Sequence, residues 1–348
     1  YESSAAAFDR ALGEMDEERR DRWSSPRWPI DGDARGFLDD ARRLAEDDPD
    51  PAHAERALER MWALADPLYL VPGNDRRTAH FARWTVAHLR DGARNPFHIP
   101  WGDDLTQLTV RHGWAMGWER SVSRILTTSP DDVISHNHPE GRDFMPKGTI
   151  LRAPAEAERE EFVASRRSPR SLYAPDYAPV LLPIDVQLAV FPRVGDAIVV
   201  ASSYLPDDTT FHADHNHDRM WMEPGEQAGL PDRIGLFLLE VGEGAEPGDG
   251  RSANPGEVAY GASSRHGASG VPGLPSVRGV QRTGSASGTL SIRVSPGEYV
   301  VSAESWSPPE RRAGRARQGL VIRSAVEDIA TVSGLLLLEP GADPGSLE

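Results

Sequence analysis

The sequence predicts an α+β protein: an N-terminal helical region, a small mixed junction segment, and then an antiparallel β-sandwich. Apolar residues recur at helical spacing in the first part of the chain, whereas later apolar runs are short and separated by turn residues. Glycine and proline make up 32 and 29 of the 348 residues, which is typical of a turn-rich β region. We therefore divide the chain into residues 1–98, 99–178 and 179–348.

The first two predicted helices are recognised by their apolar spacing. One lies within residues 1–23, and a second begins near Asp33. The residues expected on their inner faces are Phe8, Ala11, Leu12 and Met15 in the first, and Phe37, Leu38, Ala41, Leu44 and Ala45 in the second.

The third and fourth helices are marked by their ends. Asp50 and Pro51 suit the first turn of the third, which ends at Asp66 before a proline. Asn74 is the expected cap of the fourth, and Gly92 its end. The expected inward residues are Ala54, Leu58, Met61, Trp62 and Ala65 in the third and Phe81, Trp84, His88 and Leu89 in the fourth.

The strand predictions begin near Leu105, where Leu108 and Val110 alternate with polar residues before Gly113. Residues 153–170 are charged and are expected to form a helix or a surface loop. The turn at residues 295–298 predicts a hairpin, and the strand pattern as a whole is typical of an immunoglobulin-like sandwich with long Gly/Pro/Ser-rich loops. The predicted core strands are residues 180–190, 197–204, 234–241, 290–294, 299–302, 320–322 and 335–338.

Composition excludes several functional classes. The 38 basic and 54 acidic residues give a formal charge of −16, which argues against nucleic acid as the partner. The absence of cysteine excludes disulfides, cysteine-ligated metal sites and thiol catalysis. No apolar run reaches the length of a transmembrane helix. The start at Tyr1 without a leader is expected of a processed product of a longer precursor.

Two resemblances to known families emerge from the helical region. The spacing of Tyr1, Ser4, Phe8, Ala11 and Leu12 is similar to the second helix of a tetratricopeptide repeat, with an ordinary amphipathic helix as the alternative. A longer stretch, residues 62–113, resembles the bacterial family named for its GWxTD motif. The matching residues are Trp62, Asp66, Pro67, Asn74, His80, Arg83, Ala87, Trp101, Gly102, Asp103, Asp104, Leu108, Val110, Arg111, His112 and Gly113.

The GWxTD match is divergent, because Pro100, Asp103 and His112 replace the Gly, Thr and Tyr of the family pattern. Members of the family are similar to secreted or cell-envelope proteins, and no reaction is assigned to the motif. The resemblance therefore implies an extracellular or periplasmic location and supplies no catalytic residue.

Tryptophan is concentrated around this segment. Large rings of this kind most often seal a helix-to-sheet junction, and we expect that role here; the alternative is an aromatic groove that binds sugar or peptide. A carbohydrate-binding module with exposed Trp221 and Trp306 is a third hypothesis. The five clustered rings are Trp62, Trp84, Trp101, Trp114 and Trp118.

Two histidine clusters suggest a metal site. Residues i and i+2 of an extended segment point to the same side, so each His-Asn-His sequence would present two imidazoles together. Such pairs suit a divalent transition metal, with Asp214 as an oxygen ligand or supporting group. The alternative to a metal site is that both histidine clusters lie in ordinary polar loops. The candidate ligands are His136, His138, His212, Asp214, His215 and His217.

The leading functional hypothesis is a secreted or cell-envelope structural or interaction protein without enzymatic activity. It would act in assembly or recognition with protein partners, as a homo-oligomer or within an envelope assembly, and needs no cofactor. The alternative is a metal-binding protein or metal-dependent hydrolase built on the histidine clusters. An arginine-rich segment is interpreted as a solvated face, or as a docking patch for an acidic neighbour: Arg311, Arg312, Arg315, Arg317 and Arg323.

Overall fold

The computed structural model describes residues 2–47, 52–121, 132–166, 169–205, 230–242, 257–258 and 276–325. Within these residues helices dominate the N-terminal part and strands the C-terminal part, so the predicted α+β class is confirmed.

Seven α-helices are described, and six of them precede the first strand. None of these helices has both the length and the apolar character needed to cross a membrane. A short 3₁₀ helix covers Arg159–Phe162, within the segment for which a helix or loop was predicted. The α-helices are α1 (Glu2–Glu14), α2 (Glu17–Ser24), α3 (Gly32–Asp47), α4 (His53–Ala65), α5 (Asp75–Leu89), α6 (Asp103–His112) and α7 (Gly148–Arg152).

The predicted helix ends at Asn74 and Asp66 are confirmed, whereas α5 ends at Leu89 and not at the predicted Gly92. The side chain of Asn74 accepts a hydrogen bond from the backbone N–H of Arg77 at 2.8 Å and caps α5. Asp66 follows directly after α4, as predicted. Asp50 and Pro51 lie outside the described residues. The inward prediction was wrong at Ala11, Leu44, His88 and Leu89, which are all exposed, Leu44 and Leu89 to 55% and 77%.

The strand predicted near Leu108 is instead helix α6. Acidic residues occupy its first turn and basic residues its last, which suits the helix dipole. Its inner face is formed by Leu105, Thr109 and Val110, the spacing of a helix. Leu108, predicted to alternate inward with Val110, is 42% exposed. Four alternating residues are too few to distinguish the two periods.

Eleven strands are described in three sheets. β1 and β2 form an antiparallel pair, β4, β5 and β9 form a three-stranded sheet, and six strands form a larger sheet in the order β3-β11-β10-β6-β8-β7. The pairing of β3 with β11 is parallel, and the other pairings are antiparallel. The strands are β1 (Gly117–Ser121), β2 (Asp132–His136), β3 (Val180–Leu182), β4 (Asp185–Pro192), β5 (Ala197–Tyr204), β6 (Arg233–Glu240), β7 (Glu257–Val258), β8 (Val277–Thr283), β9 (Gly288–Val294), β10 (Gly297–Ser307) and β11 (Arg312–Ile322).

The predicted core strands correspond to these elements, except that residues 180–190 divide into β3 and β4, and residues 335–338 lie outside the described part. The hairpin predicted at residues 295–298 was wrong. β9 pairs with β5, whereas β10 pairs with β6 and β11, so this turn carries the chain from the three-stranded sheet to the six-stranded one.

Two hydrophobic clusters hold the sheets and helices together. Val199 and Ile292 of the three-stranded sheet share one cluster with Leu236, Leu238 and other residues of the six-stranded sheet. A second and larger cluster contains residues from all three predicted regions of the chain, so the helices and the large sheet share a core. Its largest members are Ile30, Met61, Trp62, Leu68, Tyr69, Phe144, Ile150, Leu151, Phe162, Tyr177, Phe237 and Trp306.

Candidate functional site

The most buried charges lie between the α4–α5 loop and the large sheet. Arg317 of β11 and Glu304 of β10 are both fully buried and form an ion pair at 3.2 Å. Glu304 also accepts a hydrogen bond from the backbone N–H of Leu70 at 2.9 Å. Arg317 donates to the carbonyl of Leu64 at 3.0 Å and to the hydroxyl of Ser302. One ion pair therefore joins both strands to the end of α4 and the loop after it.

Three neighbours complete this group, which we call the junction network: Asp66, Tyr69, Glu304, Arg315 and Arg317. The guanidinium of Arg317 lies 4.1 Å from the centre of the Tyr69 ring. Arg315 donates to the carbonyls of Asp66 and Pro67 at 2.8 and 3.1 Å. Those backbone carbonyls follow α4 directly, so Arg315 fixes the path by which the chain leaves that helix.

Burial dominates the electrostatics of the junction network. Burial and the nearby charge of Asp75 raise the pKa of Asp66 well above its usual value. Burial also raises the pKa of Tyr69 to about 12 and lowers that of Arg315 to about 9. Burial acts to lower the pKa of Arg317, but Tyr69, Glu304 and Asp66 outweigh it and hold that pKa above its usual value. Arg317 is therefore charged at every physiological pH.

A second polar group lies on one buried face of α5, which we call the α5 polar face: Asp75, Arg76, His80 and Arg83. His80 is fully buried and its Nε2 donates to the carbonyl of Trp23 at 2.8 Å, which joins α5 to α2. Arg83 donates to the carbonyls of Val110 and Arg111 at the end of α6. It also donates to the carbonyl of Leu172 at 2.6 Å.

Arg76 differs from the other buried arginines. Its side chain is fully buried, and within the described residues none of its three guanidinium nitrogens has a hydrogen-bond partner. Arg76 and Arg83 each lie 5.8 Å from the centre of the Tyr173 ring. The hydroxyl of Tyr173 donates to Oδ2 of Asp75 at 2.8 Å, while Oδ1 of Asp75 has no partner in the described part of the chain.

The α5 polar face strongly disfavours a protonated histidine. Burial, followed by the charge of Arg76, lowers the pKa of His80 to about 3. Burial raises the pKa of Asp75 to about 6, although hydrogen bonds from Tyr173 and Tyr177 oppose the rise. Burial and Arg76 lower the pKa of Arg83 to about 9. At neutral pH these groups supply two cations, a carboxylate and a neutral imidazole.

The tryptophan prediction is only partly correct. Trp62 is buried in the cluster shared by helices and sheet, whereas Trp84 packs among helices, with its ring 4.9 Å from that of Trp28. Trp101 is buried beside Arg90, and Trp114 is 52% exposed. The ring of Trp62 stands 5.1 Å from that of His80. The junction therefore depends on one of the five rings, assisted by the junction network.

The expectation of an exposed Trp306 is wrong, because this ring is 4% exposed and packs against Tyr177. Trp221 lies outside the described residues.

The arginine-rich segment is not a free basic surface, except at Arg323, which is exposed. Arg317 is fully buried and Arg315 partly so, both within the junction network. Arg311 donates to the carbonyl of Asp176 at 2.8 Å, and Arg312 pairs with Glu310. Arginines at i and i+2 of a strand share one face, and here that face is turned inward.

Of the histidine clusters, His136 and His138 lie within the described residues. His136 is exposed on β2, with its Nε2 3.1 Å from Oε2 of Glu119 on β1. Nδ1 of His138 accepts from the backbone N–H of Glu140 at 3.2 Å, so that nitrogen is already engaged. The described residues contain no group of three or more His, Asp or Glu side chains able to hold a metal. The other candidates, His212, Asp214, His215 and His217, lie outside the described residues.

A cleft of about 230 Å³ opens between α2, α3 and α4. Ile30, Leu38 and Leu58 contribute its apolar lining. Three arginines and three carboxylates line the rest, so its charges balance: Arg27, Arg35, Arg42, Asp21, Asp39 and Glu55.

Sequence reasoning missed the junction network and Arg76. Glu304 stands directly opposite Arg315 across the β10–β11 pair, a register that no local pattern reveals. The one available signal was the charged residue Glu304 among the apolar and small residues of 299–306, since a charge at such a position is buried only when it is paired.

Residues of the GWxTD-like segment make many of the contacts described above. Asn74 caps α5 and donates from Nδ2 to the carbonyl of Trp62 at 2.6 Å, so it joins two helices. His80 and Arg83 join α5 to α2 and α6.

No family model, curated protein or solved structure matches the chain. The resemblance to the GWxTD family therefore stays a prediction.

Proposed function

We propose that this protein is a secreted or cell-envelope structural protein without enzymatic activity, which acts in assembly or recognition. The observation that carries the proposal is how the buried charged side chains are used. Arg83, Arg315, Arg317 and Glu304 direct their hydrogen bonds to backbone groups of other elements. Groups engaged in this way join elements of the fold and are not available to a substrate.

We further propose that the two larger sheets form an immunoglobulin-like sandwich. The strand orders β4-β5-β9 and β11-β10-β6-β8 support this, because they correspond to the A-B-E and G-F-C-C′ order of such domains. The hydroxyl of Tyr299, at the start of β10, donates to the carbonyl of Ser295 at 3.0 Å. A tyrosine in this place, bonded back to the preceding corner, is a recurring feature of these sandwiches.

The form of assembly that we propose is self-association through the β1–β2 pair. Among the described residues these two strands pair only with each other, and a lone two-stranded sheet is marginal in water. Three large apolar side chains are exposed on it or just before it: Trp114, Met116 and Ile134, at 52%, 60% and 46%. Exposed Trp and Met side chains two residues apart favour a protein interface.

Size-exclusion chromatography with light scattering tests this proposal. We expect the full chain to form a discrete oligomer, and we expect the double substitution Trp114→Ser and Met116→Ser to shift it to monomer. The matched control is Leu44→Ser, since Leu44 is equally exposed but lies on α3. A wild-type chain that stays monomeric at high concentration would contradict self-association.

The alternative proposal is a metal-binding protein, supported by the exposed pair of His136 and Glu119. Elemental analysis of untagged protein, with a His136→Ala variant as the comparison, tests it. A wild-type chain that retains less than a tenth of an equivalent of transition metal after soaking and dialysis would end this alternative.

A further inference from the structure

Arg76 is the strongest unexplained feature of the structure. A buried guanidinium normally has its N–H groups bonded to carboxylates, carbonyls or water, since leaving a charge buried without partners is costly. Arg83, Arg315 and Arg317 follow this rule, each with at least two acceptors. Arg76 is just as buried, yet its three nitrogens have no partner among the described residues.

The charges around Arg76 do not balance. Arg83 shares the same buried face of α5 and bonds to carbonyls, not to a carboxylate. Arg111, whose carbonyl accepts from Arg83, and Arg170 add two more positive charges, which repel each other. The carboxylates that face the group are Asp75 and Asp143. Four positive groups, of which Arg111 and Arg170 are only partly buried, therefore stand against two negative ones, inside a chain whose net charge is −16.

Neither carboxylate offers Arg76 a hydrogen bond. The oxygens of Asp143 accept hydrogen bonds from the backbone N–H groups of Met145, Arg170 and Ser171 and from the Ser171 hydroxyl. Asp75 accepts from Tyr173 through Oδ2, and its unpartnered Oδ1 is not within hydrogen-bond distance of Arg76. The junction network cannot supply the missing charge, because its two guanidinium groups already face two carboxylates, Asp66 and Glu304.

We propose that Arg76 is the centre of a buried binding site for a small monovalent anion of the halide class. Such an anion accepts hydrogen bonds from the guanidinium and supplies a negative charge that the surrounding residues lack. Water is the competing occupant. It would satisfy the N–H groups and also the unpartnered Nδ1 of His80, but it would leave the excess positive charge of this group uncompensated and put no negative charge against the Arg76 guanidinium.

This inference goes beyond the proposed function, because the anion would act inside the fold and not at a partner surface. It would stabilise the packing of α5 by binding only the folded chain. The helices that meet on α5 would then dock more firmly in the presence of halide.

The direct test is diffraction from crystals of the full chain soaked in sodium bromide. We expect an anomalous peak within hydrogen-bond distance of the Arg76 guanidinium. Density there without anomalous signal would identify water and would overturn the proposal.

The test in solution compares thermal unfolding in sodium chloride and in sodium gluconate at equal ionic strength. We expect chloride to raise the Tm of the wild type by about 3 °C or more and to leave the Tm of Arg76→Met unchanged. Arg77→Met is the matched control, since the neighbouring Arg77 is paired with Asp9 and Glu59, and it should respond as the wild type does. An equal chloride response in the wild type and in Arg76→Met would contradict the site.

A second variant keeps the proposal testable if Arg76→Met does not fold. Asp75→Asn removes a negative charge that competes with the anion, so it should reach half of its chloride stabilisation at a lower chloride concentration than the wild type. If the variant needs the same chloride concentration as the wild type, or a higher one, to reach half of its stabilisation, that result would count against anion binding.

Discussion

At Asp75, burial opposes ionisation, because its pKa of about 6 in the folded chain lies above its ordinary value of 3.8. The folded state then binds a proton more readily than the unfolded state, so this residue lowers stability as the pH rises from about 4 to 6. We expect Asp75→Asn, measured in gluconate, to be more stable than the wild type at pH 7 by on the order of 2 kcal/mol, and equally stable near pH 4.

Urea unfolding of both proteins across this pH range measures the difference. Asp40→Asn serves as the control for loss of a carboxylate, because the Asp40 side chain is exposed. If the difference in the free energy of unfolding between Asp75→Asn and the wild type does not widen as the pH rises, burial does not shift the pKa of this carboxylate.

His80 shifts stability in the opposite sense. Its pKa falls from 6.5 to about 3 on folding, so the unfolded state takes up the proton first and stability declines as the pH falls through this window. We expect His80→Gln to lose about 1–3 kcal/mol at pH 7, since the hydrogen bond to Trp23 is weakened. The acid-induced loss between pH 6.5 and 4 should be smaller in the variant, and a loss as steep as that of the wild type would contradict a buried neutral imidazole.

At the scale of elements, the position of Phe237 depends on glycine. Its ring occupies the space where a Cβ would stand at Gly279, the residue directly opposite on β8, and at Gly235 on its own strand. Gly279→Ala should therefore displace the ring and cost about 1–3 kcal/mol, as expected of overpacking. Gly117→Ala on β1 is the control, since a Cβ there meets open space. Equal unfolding midpoints for the two variants would contradict this account.

The ion pair between β10 and β11 should show the signature of a buried charge. Removing one partner with Arg317→Met leaves Glu304 buried and uncompensated, so we expect a loss of about 3–5 kcal/mol. Adding Glu304→Gln should recover part of that loss, because the amide is neutral and still accepts from the N–H of Leu70. Denaturant unfolding measures the free energies of unfolding of the single and double variants. A double variant less stable than Arg317→Met would refute the predicted recovery.

Elements were predictable where the signal is local. Asn74 and Asp66 mark helix ends through hydrogen bonds to their immediate neighbours, and both predictions were correct. Helix α6 was missed because alternation over residues 108–111 is equally compatible with a helix that buries Leu105 and Val110. The hairpin at residues 295–298 was wrong because pairing is decided by which sheet each strand joins, and the turn itself does not record that choice.

On the scale of the whole molecule, sequence reasoning predicted the order of helices and strands but not what joins them. The spacing of five tryptophans suggested a junction sealed by indole rings, yet only Trp62 belongs to the shared cluster. Arg315 and Arg317 were interpreted as surface charges, because the backbone carbonyls that hold them, at residues 64–67, lie more than two hundred residues away. Contacts at that separation leave no trace in local periodicity.

The shared core leads to a prediction about cooperativity. Trp62 of α4, Ile150 of α7 and Trp306 of β10 belong to one hydrophobic cluster, and the junction network links the end of α4 to both β10 and β11. A helical layer that lost these contacts would expose both the cluster and the Arg317–Glu304 pair, so we expect neither part to be stable alone. We expect helix loss, followed by circular dichroism at 222 nm, and loss of hydrogen-exchange protection in β10 and β11 to give coincident urea transitions for the wild type. In Arg317→Met the two transitions should shift together to lower urea. A wild type that loses its helical signal well before the protection of β10 and β11 would show that the helices and the sheet fold as independent units.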